Sequence, residues 1–217
     1  MKVSLIGYNP TNFITALELI KKGFVVDILY LNKSKKTNTN RTIGISKNNF
    51  EFLAQSLKQI YKFSWPITKI KIFNQKNNFN EFIDFSNKNE KNFFLIKYID
   101  LFNLSERTCK KSKKISFKLI TNKYLENLED KNKYDFIINS DNKNILTKKY
   151  FNKIIKKDYN SSAFTGILHH HKIKNNTAVQ IFTKYGPLAF LPFSQTKTSI
   201  VYSVQKKYNF ENKRIKK

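Results

Sequence analysis

Cysteine, glycine, proline and acidic side chains are all scarce in this chain of 217 residues. The single cysteine, Cys109, excludes an internal disulfide and any multi-cysteine metal site. It stands in a polar, basic run, so a surface thiol is expected there. With 5 Gly in all, no P-loop word can be found, and neither a Ser-His-Asp order nor a paired-carboxylate spacing appears. No segment approaches the roughly 20 apolar residues of a membrane-spanning helix. Met1 runs directly into the strand-like Val3-Ser-Leu-Ile6 instead of a basic and apolar leader, so no export signal is read and the cytoplasm is the expected compartment.

The shortage of acids leaves 41 Lys+Arg against 15 Asp+Glu, a formal charge of +26. Such a field attracts polyanions. The excess is nearly all lysine, spread along the chain with abundant Asn, Ile, Phe and Tyr, a profile that points to codon drift toward A and T. Nucleic-acid binders concentrate basic residues on one face and interleave aromatics. No such concentration is visible, which disfavours nucleic acid. Peripheral attraction to anionic headgroups at the inner face of the membrane and a plain solvated surface stay open. Hydrophobic residues at 40 % and charged residues at 26 % are those of a folded protein. This length suits one core, or a core with a smaller companion.

Periodicity divides the chain. Lys2 to Ile6 reads as a strand and Gly7-Tyr-Asn-Pro10 as a turn. Phe13, Ala16, Leu17 and Ile20 fall at helical spacing before Gly23, and Val25 to Leu31 is a second strand. This βαβ unit implies parallel pairing, with the first turn and the helix N-terminus aimed at whatever the sheet edge binds. After a polar loop to Asn40, Arg41-Thr-Ile-Gly-Ile-Ser46 leads into a helix in which Phe50, Leu53, Leu57 and Ile60 share a face, with Ser46 as its N-cap. Strand alternation returns at Lys69 to Phe73, Phe93 to Ile96 and Ile115 to Leu119. Tyr134 to Asn142 reads as a buried strand ending in a polar turn. An antiparallel meander closes the pattern: Ala178 to Phe182, a break at Gly186-Pro187, Leu188 to Leu191, and Ile200 to Val204. Residues 206 to 217 are charged and unpatterned and read as a frayed basic tail.

The candidate site residues begin with a partial dinucleotide fingerprint. Gly7 holds the first glycine position, Asn9 and Asn12 stand where the second and third belong, and Tyr30 falls where a ribose-binding acid is expected. Asparagine tolerates left-handed backbone best after glycine, so the turn can persist, although each Asn adds bulk where a phosphate would approach. An ordinary strand-to-helix turn is the alternative. His169-His-His171 invites a metal reading, but consecutive strand residues point to opposite faces, so no metal is assigned.

Four words occur in order: Gly7-x-Asn9-x-x-Asn12; Arg41-x-Ile-x-Ile-Ser46; Asn139-Ser-Asp141-Asn142; and Ala178-x-Gln180-x-Phe182 with Gly186-Pro187-Leu188-Ala-x-Leu-Pro192 and Ser199-x-Val-x-Ser203. Together they resemble the FAD-dependent aromatic hydroxylases of ubiquinone biosynthesis, in the p-hydroxybenzoate hydroxylase class. The resemblance implies an α/β fold: a Rossmann-like FAD-binding βαβ domain with an inserted and appended antiparallel substrate sheet, C-terminally truncated. Residues 1–65 and 99–158 would form the FAD domain, 66–98 and 159–205 the substrate-side sheet, and 206–217 the tail. Arg41 would touch the flavin nucleotide, its plain alternative being a solvent-facing charge. The third word normally reads Gly-Ala-Asp-Gly; Asp141 is kept and would bond the sugar or phosphate side, unless it is simply a turn aspartate.

On the substrate side the resemblance places Gln180, Phe182, Gly186, Pro187, Leu188 and Pro192, with plain sheet core as the alternative. The family's Gly-Asp-Ala-Ala-His word, which closes over the flavin, does not occur. The implied activity is hydroxylation of a polyprenylated phenol with FAD as cofactor and NAD(P)H and O2 as co-substrates; no catalytic residue is assigned. The other readings are a degenerate, non-catalytic homologue serving as a subunit of a biosynthetic complex, and a basic nucleic-acid binder.

Overall fold

The computed structural model describes residues 1–32, 41–75, 80–86, 91, 93–128, 133–151, 153, 155 and 157–205. The expected loop at 33–40 and the tail at 206–217 lie outside them. In chain order the strands are β1 (Lys2–Ile6), β2 (Val25–Tyr30), β3 (Thr42–Ser46), β4 (Ser64–Ile67), β5 (Lys69–Asn74), β6 (Asn80–Ser86) and β7 (Phe93–Lys97). They continue as β8 (Ile115–Leu119), β9 (Phe136–Asn139), β10 (Ser161–His169), β11 (Thr177–Thr183), β12 (Gly186–Ser194) and β13 (Lys197–Gln205). The helices are α1 (Pro10–Lys21), α2 (Lys47–Ser56), α3 (Tyr98–Lys110), α4 (Asn122–Glu126) and α5 (Ile145–Tyr150). Two compact units result: Met1–Asn38, Phe52–Ile60 and Ile99–Ile155 form the first, and Thr39–Glu51, Tyr61–Tyr98 and Lys156–Lys217 the second.

The first unit is built on a parallel sheet in the order β8-β2-β1-β9. β1 and β2 are short apolar strands buried almost throughout, the pattern that parallel sheets require because both faces are covered. On one face Tyr8, Phe13, Tyr30, Phe102 and Phe117 meet edge-on or tilted at 4.7 to 5.9 Å. On the other, Ile6 and Leu29 pack with Leu125, Leu128 and Leu146. Helix α1 starts with Asn9 as N-cap and Pro10 in its first turn. It stops in a Schellman arrangement, the amide of Gly23 donating to Ile20 and that of Phe24 to Leu19, with Gly23 at φ +90°.

Three expectations need correction. Cys109 is fully buried, its thiol donating to the Phe13 carbonyl at 3.2 Å. It shares the inner face of α3 with Leu101, Leu104 and Ser105, and the basic residues around it in sequence belong to the outer face and the helix end. Strand β9 is exposed along its whole length. It lies at an edge of the sheet, a position that apolar patterning cannot reveal. The second helix ends at Ser56; Leu57 lies between it and a separate 3-10 segment, Lys58–Phe63, that holds Ile60.

The second unit holds a six-stranded sheet in the order β10-β13-β12-β11-β5-β6 and a three-stranded sheet β3-β7-β4. The expected meander is β11-β12-β13, antiparallel throughout. Only the β11–β5 pair of the larger sheet is parallel. The core gathers Ile67, Leu95 and Ala178 with Trp65, Ile70, Phe93, Leu191 and Phe193, and Phe50 stacks on Phe94 at 3.8 Å. Gly186 is required by geometry. At φ +143° a Cβ would lie 2.0 Å from the Ser203 carbonyl oxygen.

Candidate functional site at the first strand-helix turn

Strand order in the first unit reverses between β1 and β9, and ligands of open α/β sheets bind outside the carboxyl ends of the strands at such a point. The turn after β1 occupies it. Gly7 has φ +122°, and a Cβ there would fall 2.8 Å from Ser140 Oγ, 3.1 Å from Asn9 Nδ2 and 3.2 Å from Asn12 Nδ2. Its amide donates to the Leu29 carbonyl at 2.8 Å, tying the turn to β2. The glycine turn of the fingerprint is therefore formed.

What fills it is side chain. Asn9 Oδ1 accepts the amide of Asn12 at 3.0 Å, and Asn9 Nδ2 donates to Ser140 Oγ at 2.8 Å. Ser140 Oγ donates in turn to the Ile6 carbonyl at 3.2 Å. Asn12 is buried and donates its side-chain amide to the Gly7 carbonyl at 2.8 Å. Ser140 lies within the third word but is not among the residues that sequence alone singles out. The available signal was that side chains replace the family's Gly, Gly and Ala at positions 9, 12 and 140 together.

A dinucleotide pyrophosphate needs free amides and an open approach at this turn. Here Pro10 has no amide proton, the Asn12 amide is bonded to Asn9 Oδ1, and the amide of Phe13 donates to the Asn9 carbonyl. The residues present do not fit a pyrophosphate. Tyr30 is also not free to meet a ribose: it is buried, its ring 4.7 Å from that of Tyr8. Burial raises the phenol pKa of Tyr8, and its hydrogen bond to Glu106 raises it further.

Asp141 does border a cavity. About 510 Å³ lies at the carboxyl edge of the sheet, lined by Leu31, Asn32, Glu126, Asp141, Lys143 and Lys148 among others. The turn that presents Asp141 is rigidly built. Its amide donates to Asn139 Oδ1 at 3.1 Å, its Oδ1 accepts the Lys143 amide at 3.0 Å, and its carbonyl accepts Thr147 Oγ1 at 2.7 Å. Gly7, Asn9, Asn12 and Asp141 thus belong to one unit.

Arg41 belongs to the other unit, where its guanidinium sits 5.5 Å from the Tyr98 ring centroid and its carbonyl accepts the Tyr98 amide. In the meander, cross-strand pairing places Gln180 opposite Ala189 and Phe182 opposite Pro187. Gln180, Phe182 and Pro187 therefore share one face of the sheet, and Leu188 and Pro192 take the opposite one. Phe182 is 43 % exposed, whereas Pro192 is buried. Among the described residues no group of three or more His, Cys, Asp and Glu could hold a metal. No described helix is long and apolar enough to cross a membrane.

No family model and no curated protein matches the sequence. Solved structures do match. PqsL, a probable FAD-dependent monooxygenase from Pseudomonas aeruginosa, aligns with TM-score 0.70 at 10 % identity, over 95 % of this chain and 61 % of its own. The p-nitrophenol 4-monooxygenase PnpA from Pseudomonas putida aligns with TM-score 0.69 at 10 % identity, over 96 % of this chain and 58 % of its own. The chain has the fold of FAD-dependent monooxygenases. FqzB, at TM-score 0.69 and 12 % identity, is covered over 56 % of its length by all of this chain. The chain thus spans about 56 to 61 % of the structures it matches, and identities this low speak to fold alone.

Proposed function

We propose that this chain handles a small aromatic molecule on the FAD-dependent monooxygenase scaffold. The observation that supports this reading is the alignment of 95 to 100 % of the chain with such scaffolds at TM-scores of 0.69 to 0.70. PqsL has been solved with 2-aminobenzoylacetate, and another match is a 2-methyl-3-hydroxypyridine-5-carboxylic acid oxygenase. The activity of this scaffold, in the finer reading, is hydroxylation of a prenylated phenol in ubiquinone biosynthesis, with FAD, NAD(P)H and O2. In that reading Asp141 faces the nucleotide, Arg41 contacts it, and Gln180, Phe182, Gly186, Pro187, Leu188 and Pro192 belong to the substrate sheet. A prenylated substrate resides in membrane, and the +26 charge supports peripheral attachment to anionic headgroups.

A second reading is favoured by the turn itself: a non-catalytic homologue that serves as a subunit of a biosynthetic assembly. The residues at the turn, which do not fit a pyrophosphate, support it. One preparation separates the readings. Protein titrated with FAD is followed by flavin fluorescence, then mixed with NAD(P)H and a prenylated phenol. Saturable flavin uptake with phenol-dependent NAD(P)H oxidation selects the enzyme. Phenol binding without flavin uptake selects the subunit. Absence of both overturns the aromatic-ligand proposal.

A further inference from the structure

Three positions that are small in the resembled hydroxylases carry Asn9, Asn12 and Ser140 here, and their side chains bond to one another or to the turn they share. The relay runs without interruption: Asn12 amide to Asn9 Oδ1 (3.0 Å), Asn9 Nδ2 to Ser140 Oγ (2.8 Å), Ser140 Oγ to the Ile6 carbonyl (3.2 Å). Asn12 Nδ2 closes the other side on the Gly7 carbonyl (2.8 Å). Each of these four bonds runs from a donor to an acceptor.

The geometry points to a pyrophosphate site converted into a structural clasp. Asn9 Oδ1 supplies the N-terminus of α1 with the acceptor that a phosphate oxygen would otherwise provide, so the positive end of the helix is satisfied from within. The carboxamide also adds bulk at the turn where a diphosphate would need open space. Pro10 withholds a further donor, leaving Thr11 as the first-turn amide that the clasp does not engage. A diphosphate at this turn would therefore find the amide of Asn12 already engaged and no proton on Pro10. The clasp adds a side-chain tie where the paired ends of β1 and β9 already meet through the Ser140 amide and the Ile6 carbonyl. This inference rests on the scaffold reading and sharpens its non-catalytic form.

The test compares ADP with AMP by isothermal titration of the full chain, as wild type, N9G and N9G/S140A. Glycine is tolerated at an N-cap at small cost, so N9G keeps the helix start. Expected are an ADP affinity within threefold of AMP for the wild type, and a gain of at least tenfold for ADP alone in the double variant. Wild-type preference for ADP of tenfold or more overturns the clasp, as does a double variant that gains nothing. Neither phenol nor flavin enters this titration, so a failure of the aromatic-ligand proposal is recognised separately, in the wild-type experiment above.

Discussion

Lys118 Nζ lies 2.6 Å from Asp27 Oδ2, an acid whose side chain is 3 % exposed in the middle of a parallel sheet. Ser116, Tyr134 at 2.7 Å and Lys2 at 3.2 Å complete its shell. Burial by itself would raise this carboxyl, but the bonds from Lys118, Ser116, Tyr134 and Lys2 outweigh it and hold the pKa well below the usual carboxylate range. The stabilisation is then complete above the unfolded value near 3.9 and is lost as pH falls through the depressed folded value. Asp27→Asn should cost about 2–4 kcal/mol at pH 7. The gap in urea midpoint between variant and wild type should be narrower at pH 3, where the unfolded carboxyl is already mostly protonated, than at pH 7, and an unchanged gap would show that the shell does not act through the charge.

Gly23 and Gly186 both have positive φ, at +90° and +143°, but differ in their surroundings. An added Cβ meets nothing within 4 Å at Gly23, whereas at Gly186 it meets backbone at 2.0 Å. Gly23→Ala should cost about 1–2 kcal/mol, the left-handed penalty alone. Gly186→Ala should exceed the roughly 3 kcal/mol of common substitutions because backbone must move. Thermal unfolding of the pair checks the order, and equal losses would refute the clash.

The Cys109 thiol should be inert. Burial pushes its pKa up to about 12, with Glu106 adding to the effect, so almost no thiolate exists at neutral pH. An aromatic disulfide reagent should label it stoichiometrically in denaturant and at least 100-fold more slowly in the native protein. Rapid native labelling would place it at the surface after all.

Asn12→Ala removes the buried donor to the Gly7 carbonyl. A loss of about 1–3 kcal/mol is expected, the cost of an unsatisfied buried acceptor. The denaturation midpoint measures it; a neutral result would mean that water replaces the amide.

The opening βαβ unit was legible in the amino-acid order because Val3, Leu5 and Ile6, then Phe13, Ala16 and Leu17, then Val26, Ile28 and Leu29 sit at the spacings that strand, helix and strand demand. The meander was legible for the same reason, with Gly186 marking the point where the Ser203 carbonyl approaches too closely for a Cβ. Helix α3 went unread and Cys109 was misplaced, because neighbouring lysines mask a face that only the fold turns inward.

The candidate site shows the same division. Local sequence determined that Gly7 would turn the chain and that Asn9 could cap the helix after it, since both effects act within a few residues. That Asn9 spends its remaining amide on Ser140, 131 positions away, was decided by tertiary structure, because only the pairing of β1 with β9 brings those two loops together. Whether a turn receives a ligand or closes on itself depends on which distant partner reaches it, and spacing along the chain contains no such distance.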